Sequence, residues 1–383
     1  MANSAMLENT KVHFPGLNGL RFFAAMAVVI THIELIKKSF GLVSFWNNPL
    51  IFELGSLGVN FFFVLSGFLI TYLLLEEKKV GGTVSVKKFY LRRILRIWPL
   101  YFLIVFLGFF VLPQFNQINI SYLTENFSTN FFPNLILYLF MLPNLAFSLF
   151  FAVPHIGQLW SIGVEEQFYL FWPWLIKRSK NILKSLILVF ACFMIVKVIY
   201  VFLPPAIKQL SFYEPLKLFL AMTKMELMAI GGIGAYFLFK RNRLFLSLVF
   251  SPIVFVLSFV IIPALIFLTP SFLQDGIHIV YSILFLIIII NVSSNPNSLL
   301  KLDKPFFNYF GNISFGIYMY HMLLIPICLL FLKPFLSENL VYQNVVIYLV
   351  VIGSTLVVSA LSYALLERRF IKLKSRFEVV KTT

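Results

Sequence analysis

The chain has 383 residues, of which 60% are apolar and only 12% are charged, and its mean hydropathy is +0.92. A soluble globular protein carries charge on about a quarter of its residues, so this composition excludes that class and indicates an integral membrane protein. Lys and Arg outnumber Asp and Glu by 31 to 15. In a membrane protein this excess of positive charge sets the orientation in the bilayer and attracts anionic lipid, and it does not indicate nucleic-acid binding. Cys192 and Cys328 lie far apart in apolar runs, which predicts small core residues and neither a disulfide framework nor a metal site.

Apolar stretches of about 17 to 25 residues predict membrane-spanning helices. Ten such stretches occur, at 17–36, 54–75, 98–113, 161–176, 183–203, 215–239, 244–265, 277–292, 306–332 and 342–366. A further apolar stretch, 131–151, contains Pro143 and lies in a region without Lys or Arg that runs from Pro113 to Trp160. We therefore predict that 131–151 is a re-entrant or surface-lying helical segment on the outer side and not an eleventh span.

Basic residues flank the spans mainly on one side, which the positive-inside rule assigns to the cytoplasm. The main clusters lie at 78–96, 177–184, 240–243, 301–304 and 368–381. This pattern predicts that both termini are cytoplasmic, with Lys37, Lys38 and Lys333 as exceptions. The sequence thus predicts an all-α, polytopic transmembrane helical bundle of about ten spans in the inner or plasma membrane. It forms a single domain over 1–383, with a core at 14–371 and a basic cytoplasmic tail at 372–383.

The first span carries an arginine and a histidine, Arg21 and His32, inside an otherwise apolar run. Residues eleven apart on an α-helix lie within about 20° of one face and about 16 Å apart along the axis. A charged side chain at mid-bilayer costs roughly 2.5 to 3.5 kcal/mol, so such residues usually face a polar cavity or a partner. This helix is therefore predicted to form the wall of a site. The alternative is that Arg21 reaches the lipid headgroups and His32 is an interhelical hydrogen bonder.

Two further stretches near the start of the chain carry candidate site residues. Ser66 and Gly67 in the second span are small enough to admit a close helix or a thin substrate chain, and helix packing alone is the simpler alternative. Arg92, Arg93 and Arg96 precede the third span. Arg92 and Arg96 share a helix face, and guanidinium groups suit phosphate oxygens, whereas the alternative is anchoring to lipid headgroups.

The start of the fourth span is unusually polar for a membrane helix. It contains Trp160, Ser161, Glu165, Glu166 and Tyr169. Ser161 followed by Glu165 is typical of a helix cap, but two carboxylates, an amide and a tyrosine exceed what a cap requires. Because Glu165 and Glu166 point about 100° apart, we expect only one of them to face inward.

A second intramembrane histidine, His321, lies in the ninth span, either as a buried hydrogen bonder or as part of the site. Polar groups on several spans favour a shared cavity.

Taken together and in order, these stretches resemble the bacterial integral-membrane acyltransferase family 3, whose members O-acylate cell-surface polysaccharides and other exported or secondary metabolites. The resemblance runs nearly end to end. It rests on Leu17-x-Gly19-Leu20-Arg21 with His32, on 58–70, on 89–99, on 159–169, on 311–321, and on Tyr363 with 367–370. The chain departs from the family pattern at Asn18, where Asp is usual, at Asn60, where Asp is frequent, and at Gln158, where the family often has a histidine. His155 lies three residues before Gln158.

The resemblance implies a membrane O-acyltransferase that moves an acyl group, in particular acetyl, from cytoplasmic acyl-CoA to a hydroxyl of an extracytoplasmic acceptor such as a surface polysaccharide sugar. It implies that Arg21 and His32 are essential and that the segment from Arg92 to Arg96 meets the donor. No metal is required. The alternative is a transporter or flippase of a glycan or lipid-linked substrate, in which buried charges form the substrate path.

The candidate residues are assigned to three roles on this basis. The catalytic candidates are His32, Arg21, Glu165 and Glu166; the donor-binding candidates are Arg92, Arg93, Arg96, Ser66 and Gly67; the acceptor-binding candidates are Trp160, Ser161, Tyr169 and His321. Unperturbed histidine titrates near neutrality, so His32 is suited to take the proton of the acceptor hydroxyl. A covalent variant, in which His32 is itself transiently acylated, is equally compatible with the sequence. The sequence indicates membrane lipid as surroundings and identifies no protein partner.

Overall fold

The computed structural model describes residues 11–118, 121–269 and 274–382, and this part of the chain is helical apart from one short pairing of its two ends. Strand β1 (Lys11–Val12) pairs in parallel with β2 (Lys381–Thr382). The helices are α1 (Leu17–Ser39), α2 (Pro49–Gly81), α3 (Val86–Phe106), α4 (Ser121–Thr129), α5 (Phe131–Leu139), α6 (Pro143–Phe150), α7 (Trp160–Arg178), α8 (Ile182–Val201), α9 (Pro205–Lys208), α10 (Tyr213–Met222), α11 (Met225–Phe239), α12 (Arg243–Val249), α13 (Pro252–Leu268), α14 (Gln274–Ser294), α15 (Pro305–Leu332), α16 (Leu340–Ser362) and α17 (Arg368–Lys374). Residues 1–10 and 383 of the predicted domain lie outside the described residues.

Eight helical segments of the described chain are long and apolar enough to cross a membrane, and the pair α12 and α13, bent by 57°, makes a ninth if it is counted as one span. The prediction of a multi-pass helical bundle is confirmed. The predicted number of ten is not confirmed, because the stretch 161–176 belongs to α7, whose glutamates and terminal basic residues make it less apolar than the other segments.

Side-chain hydrogen bonds nevertheless hold α7 alongside the apolar helix α2. Ser66 Oγ donates to Glu165 Oε1 at 2.7 Å, and Lys78 Nζ donates to the carbonyl of Ile176 at 2.7 Å. From the first contact to the second, the residue number increases on both helices. The two contacts are twelve residues apart on α2, which corresponds to about 18 Å. Helix α7 therefore runs parallel to a spanning helix through the depth of the bundle.

The apolar segment 131–151 is broken into α5 and α6, and Pro143 is the first residue of α6. Proline favours the first turn of a helix because its missing N–H would have no intrahelical partner there. Helices of nine and eight residues extend only about 12 to 14 Å, which is too short to cross a hydrocarbon core of about 30 Å. The break lies where the proline predicts it, and the depth of this segment in the membrane stays a prediction.

Lys37, one of the exceptions to the charge pattern, is fully buried in an ion pair. Its Nζ lies 2.8 Å from Glu34 Oε1, and Glu34 also accepts a hydrogen bond from the Tyr348 hydroxyl at 2.8 Å. The pair ties the end of α1 to α16. A paired lysine contributes little free charge at the membrane surface. Lys37 is therefore a packing residue, and its position is weak evidence about which side of the membrane this end of α1 faces.

Replacement of Lys37 by Met is expected to lower the free energy of unfolding by about 3 to 5 kcal/mol, because it leaves the buried Glu34 carboxylate without its counter-charge. Thermal unfolding of the purified protein in detergent measures this effect. The neighbouring Lys38 is exposed, so Lys38→Met is the matched control and is expected to unfold at the wild-type temperature. Equal effects of the two substitutions would contradict this account of the pair.

Candidate active site

A cavity of about 580 Å³ lies at the centre of the bundle, between α1, α2, α3, α7 and α15. Residues 12–14 and two residues of α17, Ile371 and Lys374, also line it. The predicted site residues that line it are Arg21, Ser66, Arg93, Arg96, Ser161, Glu165 and Tyr169. The expectation that polar groups from several spans share one cavity is therefore confirmed.

The cavity is basic, because Arg21, Arg93, Arg96 and Lys374 all line it and Glu165 is the acidic lining residue among those described. In the described part of the chain, none of the three arginines forms a salt bridge. Arg21 donates one long hydrogen bond of 3.4 Å to a neighbouring amide, and the guanidinium groups of Arg93 and Arg96 lie 5.7 to 5.8 Å from aromatic ring centroids. Their planar donor groups are thus available to an anionic ligand such as a phosphate.

Arg92 does not reach the cavity, although it was predicted to share a phosphate site with Arg96. Its Nη2 lies 2.9 Å from Glu77 Oε2, and its Nη1 donates to the carbonyl of Phe377 at 2.9 Å. Glu77 is buried, so the pair is shielded from solvent. Arg92 ties α3 to α2 and to the C-terminal segment, while Arg93 and Arg96 face the ligand space.

The two adjacent glutamates of α7 point in different directions, as the helix geometry predicts. Glu165 lines the cavity and accepts hydrogen bonds from the hydroxyls of Ser66 at 2.7 Å and Tyr169 at 2.9 Å. Glu166 accepts a hydrogen bond from Trp98 Nε1 at 3.1 Å and is not among the lining residues. Glu165 is therefore the carboxylate available to a ligand, and Glu166 belongs to the contact between α3 and α7.

The two intramembrane histidines meet each other at the contact of α1 with α15. His32 Nδ1 lies 2.9 Å from His321 Nε2, the ring centroids are 5.0 Å apart and the ring planes are inclined by 24°, so the two rings meet edge to edge. Neither ring is among the cavity-lining residues. Tyr318 lies between the cavity and His321, because it lines that space while its ring lies 5.7 Å from His321 and its hydroxyl 2.6 Å from Ser161 Oγ. His321 thus lies one side chain beyond the cavity wall, and His32 lies next to His321.

Another predicted residue, Trp160, also lies outside the cavity, and so does His155, which was not a predicted site residue. Trp160 packs on Phe63, with ring centroids 6.0 Å apart, and Phe63 in turn lines the cavity. His155 is buried in the turn before α7, and burial lowers its pKa to about 4, so its ring is uncharged near neutral pH. His155 lies apart from the lining residues as well.

Gly67, a donor-binding candidate, packs directly against α11. A Cβ atom built at this position would lie 1.9 Å from the carbonyl oxygen of Met228 and 2.6 Å from its carbon, far inside van der Waals contact. Glycine is required there because the two helix backbones approach closely. The structure therefore assigns Gly67 to helix packing, the simpler of the two predicted alternatives, whereas its neighbour Ser66 faces the cavity.

Replacement of Gly67 by Ala is expected to destabilise the fold by about 1 to 3 kcal/mol or more, because α2 and α11 must move apart. Folded yield and thermal unfolding in detergent are the measurements. Gly81 offers a matched control on the same helix, since a Cβ atom there would contact nothing within 4 Å, and Gly81→Ala is expected to fold normally. A stable Gly67→Ala protein that fails only in donor binding would instead favour the ligand role.

Many of the lining residues were not among the predicted ones, and Tyr318, Tyr363 and Lys374 are three of them with polar side chains. Tyr318 precedes His321 by three residues and so lies on nearly the same helix face, a signal present in the sequence. Lys374 belongs to the predicted basic tail, and no local pattern indicates that α17 folds back beneath α3. The pairing of β1 with β2 joins this tail to the N-terminal segment at the cavity edge.

Comparison with known proteins gives one family and several relatives. A model of an acyltransferase domain family matches residues 14–364. A protein of Staphylococcus aureus strain COL named "Putative O-acetyltransferase" is 27% identical over 371 residues, which is 94% of this chain and 58% of that protein. The peptidoglycan O-acetyltransferase OatA of Listeria monocytogenes is 25% identical over 386 residues, 94% of this chain and 56% of OatA. The chain thus spans somewhat more than half the length of these relatives. No solved structure matches the chain significantly.

Proposed function

The chain belongs to this acyltransferase family, and from that premise we propose that it is an acyl-CoA-dependent O-acetyltransferase of the cell membrane, with both termini in the cytoplasm. The proposed reaction moves an acetyl group from acetyl-CoA to a hydroxyl group on a sugar of a cell-surface polymer. Relatives named as O-acetyltransferases, including one that acts on peptidoglycan, support this acceptor class.

The observation that carries the proposal is the basic cavity next to the histidine pair. Acyl-CoA carries phosphates on its nucleotide end and the reactive thioester at the end of a thin arm. A cavity of about 580 Å³ lies within the usual size of a small-molecule site, and the guanidinium groups of Arg21, Arg93 and Arg96 offer paired donors to phosphate oxygens. The thioester would then extend past Ser66 towards Tyr318, beyond which His32 lies.

In the proposed reaction His32 accepts the proton of the acceptor hydroxyl as its oxygen attacks the thioester carbonyl. The C–S bond then breaks, and the proton passes to the CoA sulfur, which gives an O-acetyl ester and free CoA. Arg21 orients the donor in the cavity, which Glu165 also lines. Transfer through an acetylated His32 is the alternative route, and trapping of labelled protein in the absence of acceptor distinguishes the two.

The test uses purified protein in lipid vesicles with radiolabelled acetyl-CoA and a peptidoglycan-derived disaccharide as the probe acceptor. We expect release of the CoA thiol in step with label on the saccharide. Movement of the disaccharide across the vesicle membrane without thiol release would favour a transporter and overturn the proposal. Mass spectrometry of surface glycans from cells with and without this chain identifies the natural acceptor.

A further inference from the structure

We propose that His321 is a positioning residue, which fixes the tautomer of His32 so that His32 Nε2 carries the lone pair that accepts the substrate proton. The inference rests on the proposed function and deepens it, since it assigns His321 a role other than binding the acceptor. It is carried by the contacts of the two rings with each other and with the backbone of α15.

The first step identifies which ring nitrogen of the neutral His321 carries the hydrogen. Its Nδ1 lies 3.2 Å from the carbonyl oxygen of Ile317, one turn earlier on the same helix. A carbonyl oxygen only accepts hydrogen bonds, so His321 Nδ1 carries the hydrogen. The ring is fully buried, and among the described residues its polar neighbours are His32 and the backbone of Ile317 and Tyr318, with no carboxylate to balance a charge. A buried group without a counter-charge is favoured in its neutral form, which leaves a lone pair on His321 Nε2.

In the second step, the tautomer of His321 determines the tautomer of His32. His32 Nδ1 lies 2.9 Å from the His321 Nε2 lone pair, so His32 Nδ1 must donate its hydrogen. A neutral imidazole carries one N–H, and the remaining lone pair of His32 is therefore on Nε2. In the described structure that nitrogen forms no hydrogen bond and is not among the buried unpartnered atoms, while the ring as a whole keeps some accessible surface.

The third step concerns the protonated state. When His32 Nε2 takes a proton, its Nδ1–H continues to donate to a neutral acceptor, and the hydrogen bond becomes charge-assisted and stronger. The hydrogen bonds from His32 to His321 and from His321 to the Ile317 carbonyl therefore orient the His32 ring, and no proton is transferred along them. A third group commonly orients a catalytic base in this way. The opposite arrangement would direct a lone pair of His321 Nδ1 at the lone pairs of the Ile317 carbonyl oxygen.

Three substitutions of His321 separate positioning from a merely structural role. A Gln side chain reaches as far as the histidine Nε2 atom, and its amide oxygen is able to accept from His32 Nδ1, whereas Asn reaches only as far as Nδ1 and Leu has no acceptor. We expect His321→Gln to keep kcat within about threefold of wild type and the other two to lose about 10- to 100-fold in kcat, with the KM for acetyl-CoA unchanged. Equal activity of the Gln and Leu proteins, or a change confined to KM, would overturn the proposal.

The tautomers themselves are measured by nitrogen-15 NMR on histidine-labelled protein, which contains five histidines. We expect protonated Nδ1 and unprotonated Nε2 for both residues, with the His32 signals assigned from His32→Gln. Protonated Nε2 on either ring would overturn the inference. This measurement does not depend on activity, so a protein with the expected tautomers but no acetyl transfer would refute the proposed function and leave the pairing intact.

Discussion

Acetyl transfer by the His32→Ala protein is expected to fall by about 10²- to 10⁴-fold, the usual contribution of a positioned general base. The reason is that the substitution removes the base itself, while the remaining histidine of the pair, His321, is fully buried on the far side of the position that His32 occupied. The measurement is the initial rate of CoA thiol release at saturating acetyl-CoA and acceptor.

His32→Asn provides the matched control for this loss, because an Asn amide reaches as far as the Nδ1 atom of histidine. Its amide is able to donate to His321 in place of the histidine Nδ1–H and so preserves the contact of α1 with α15, but it cannot accept a proton at neutral pH. We expect it to fold like wild type and to be as inactive as His32→Ala. Near-normal turnover by either folded protein would remove His32 as the base.

Replacement of Arg21 by Ala is expected to lower kcat/KM for acetyl-CoA by about 10- to 100-fold, the cost of losing one or two hydrogen bonds to a charged ligand. Arg21 lines the cavity, and among the described residues it forms one long hydrogen bond, to Asn18, so its remaining donors are available to the ligand. Arg21→Lys keeps the charge but not the planar fork, so we expect an intermediate value.

Arg92 is the control for Arg21, because it is also an arginine near the site yet is held by Glu77 and the Phe377 carbonyl. Arg92→Ala is expected to lower stability, since it leaves the buried Glu77 unpaired, while the KM for acetyl-CoA stays within about twofold of wild type. The reverse pattern, with Arg92 controlling donor affinity and Arg21 having no effect, would contradict the placement of the donor in the cavity.

The sequence predicts the helical class well because each apolar run has to bury its backbone hydrogen bonds within itself, and such runs are visible one at a time. Hydropathy is less reliable for α7, because Glu165 and Glu166 make this stretch polar. The hydrogen bond from Ser66 of α2 to Glu165 nevertheless holds α7 against an apolar helix. Helix geometry alone correctly separates these two glutamates, because their directions depend only on the turn per residue.

Contacts between distant parts of the chain lie beyond such reasoning. The pairing of His32 with His321 joins residues 289 positions apart, and nothing in either span indicates that the two rings meet. The same holds for Lys374, which reaches the cavity because α17 folds under α3, and for Arg92, whose partner Glu77 lies on another helix. Helical periodicity assigns faces, but tertiary packing decides which faces meet.

The most direct test of the central claim is the structure of the protein bound to a non-reactive thioether analogue of acetyl-CoA. The account predicts phosphates within hydrogen-bonding distance of Arg21, Arg93 or Arg96, and the acetyl carbon near Tyr318, where one hydroxyl group would bridge it to His32 Nε2. An analogue bound outside the cavity, or one whose acetyl group points away from the histidine pair, would contradict it.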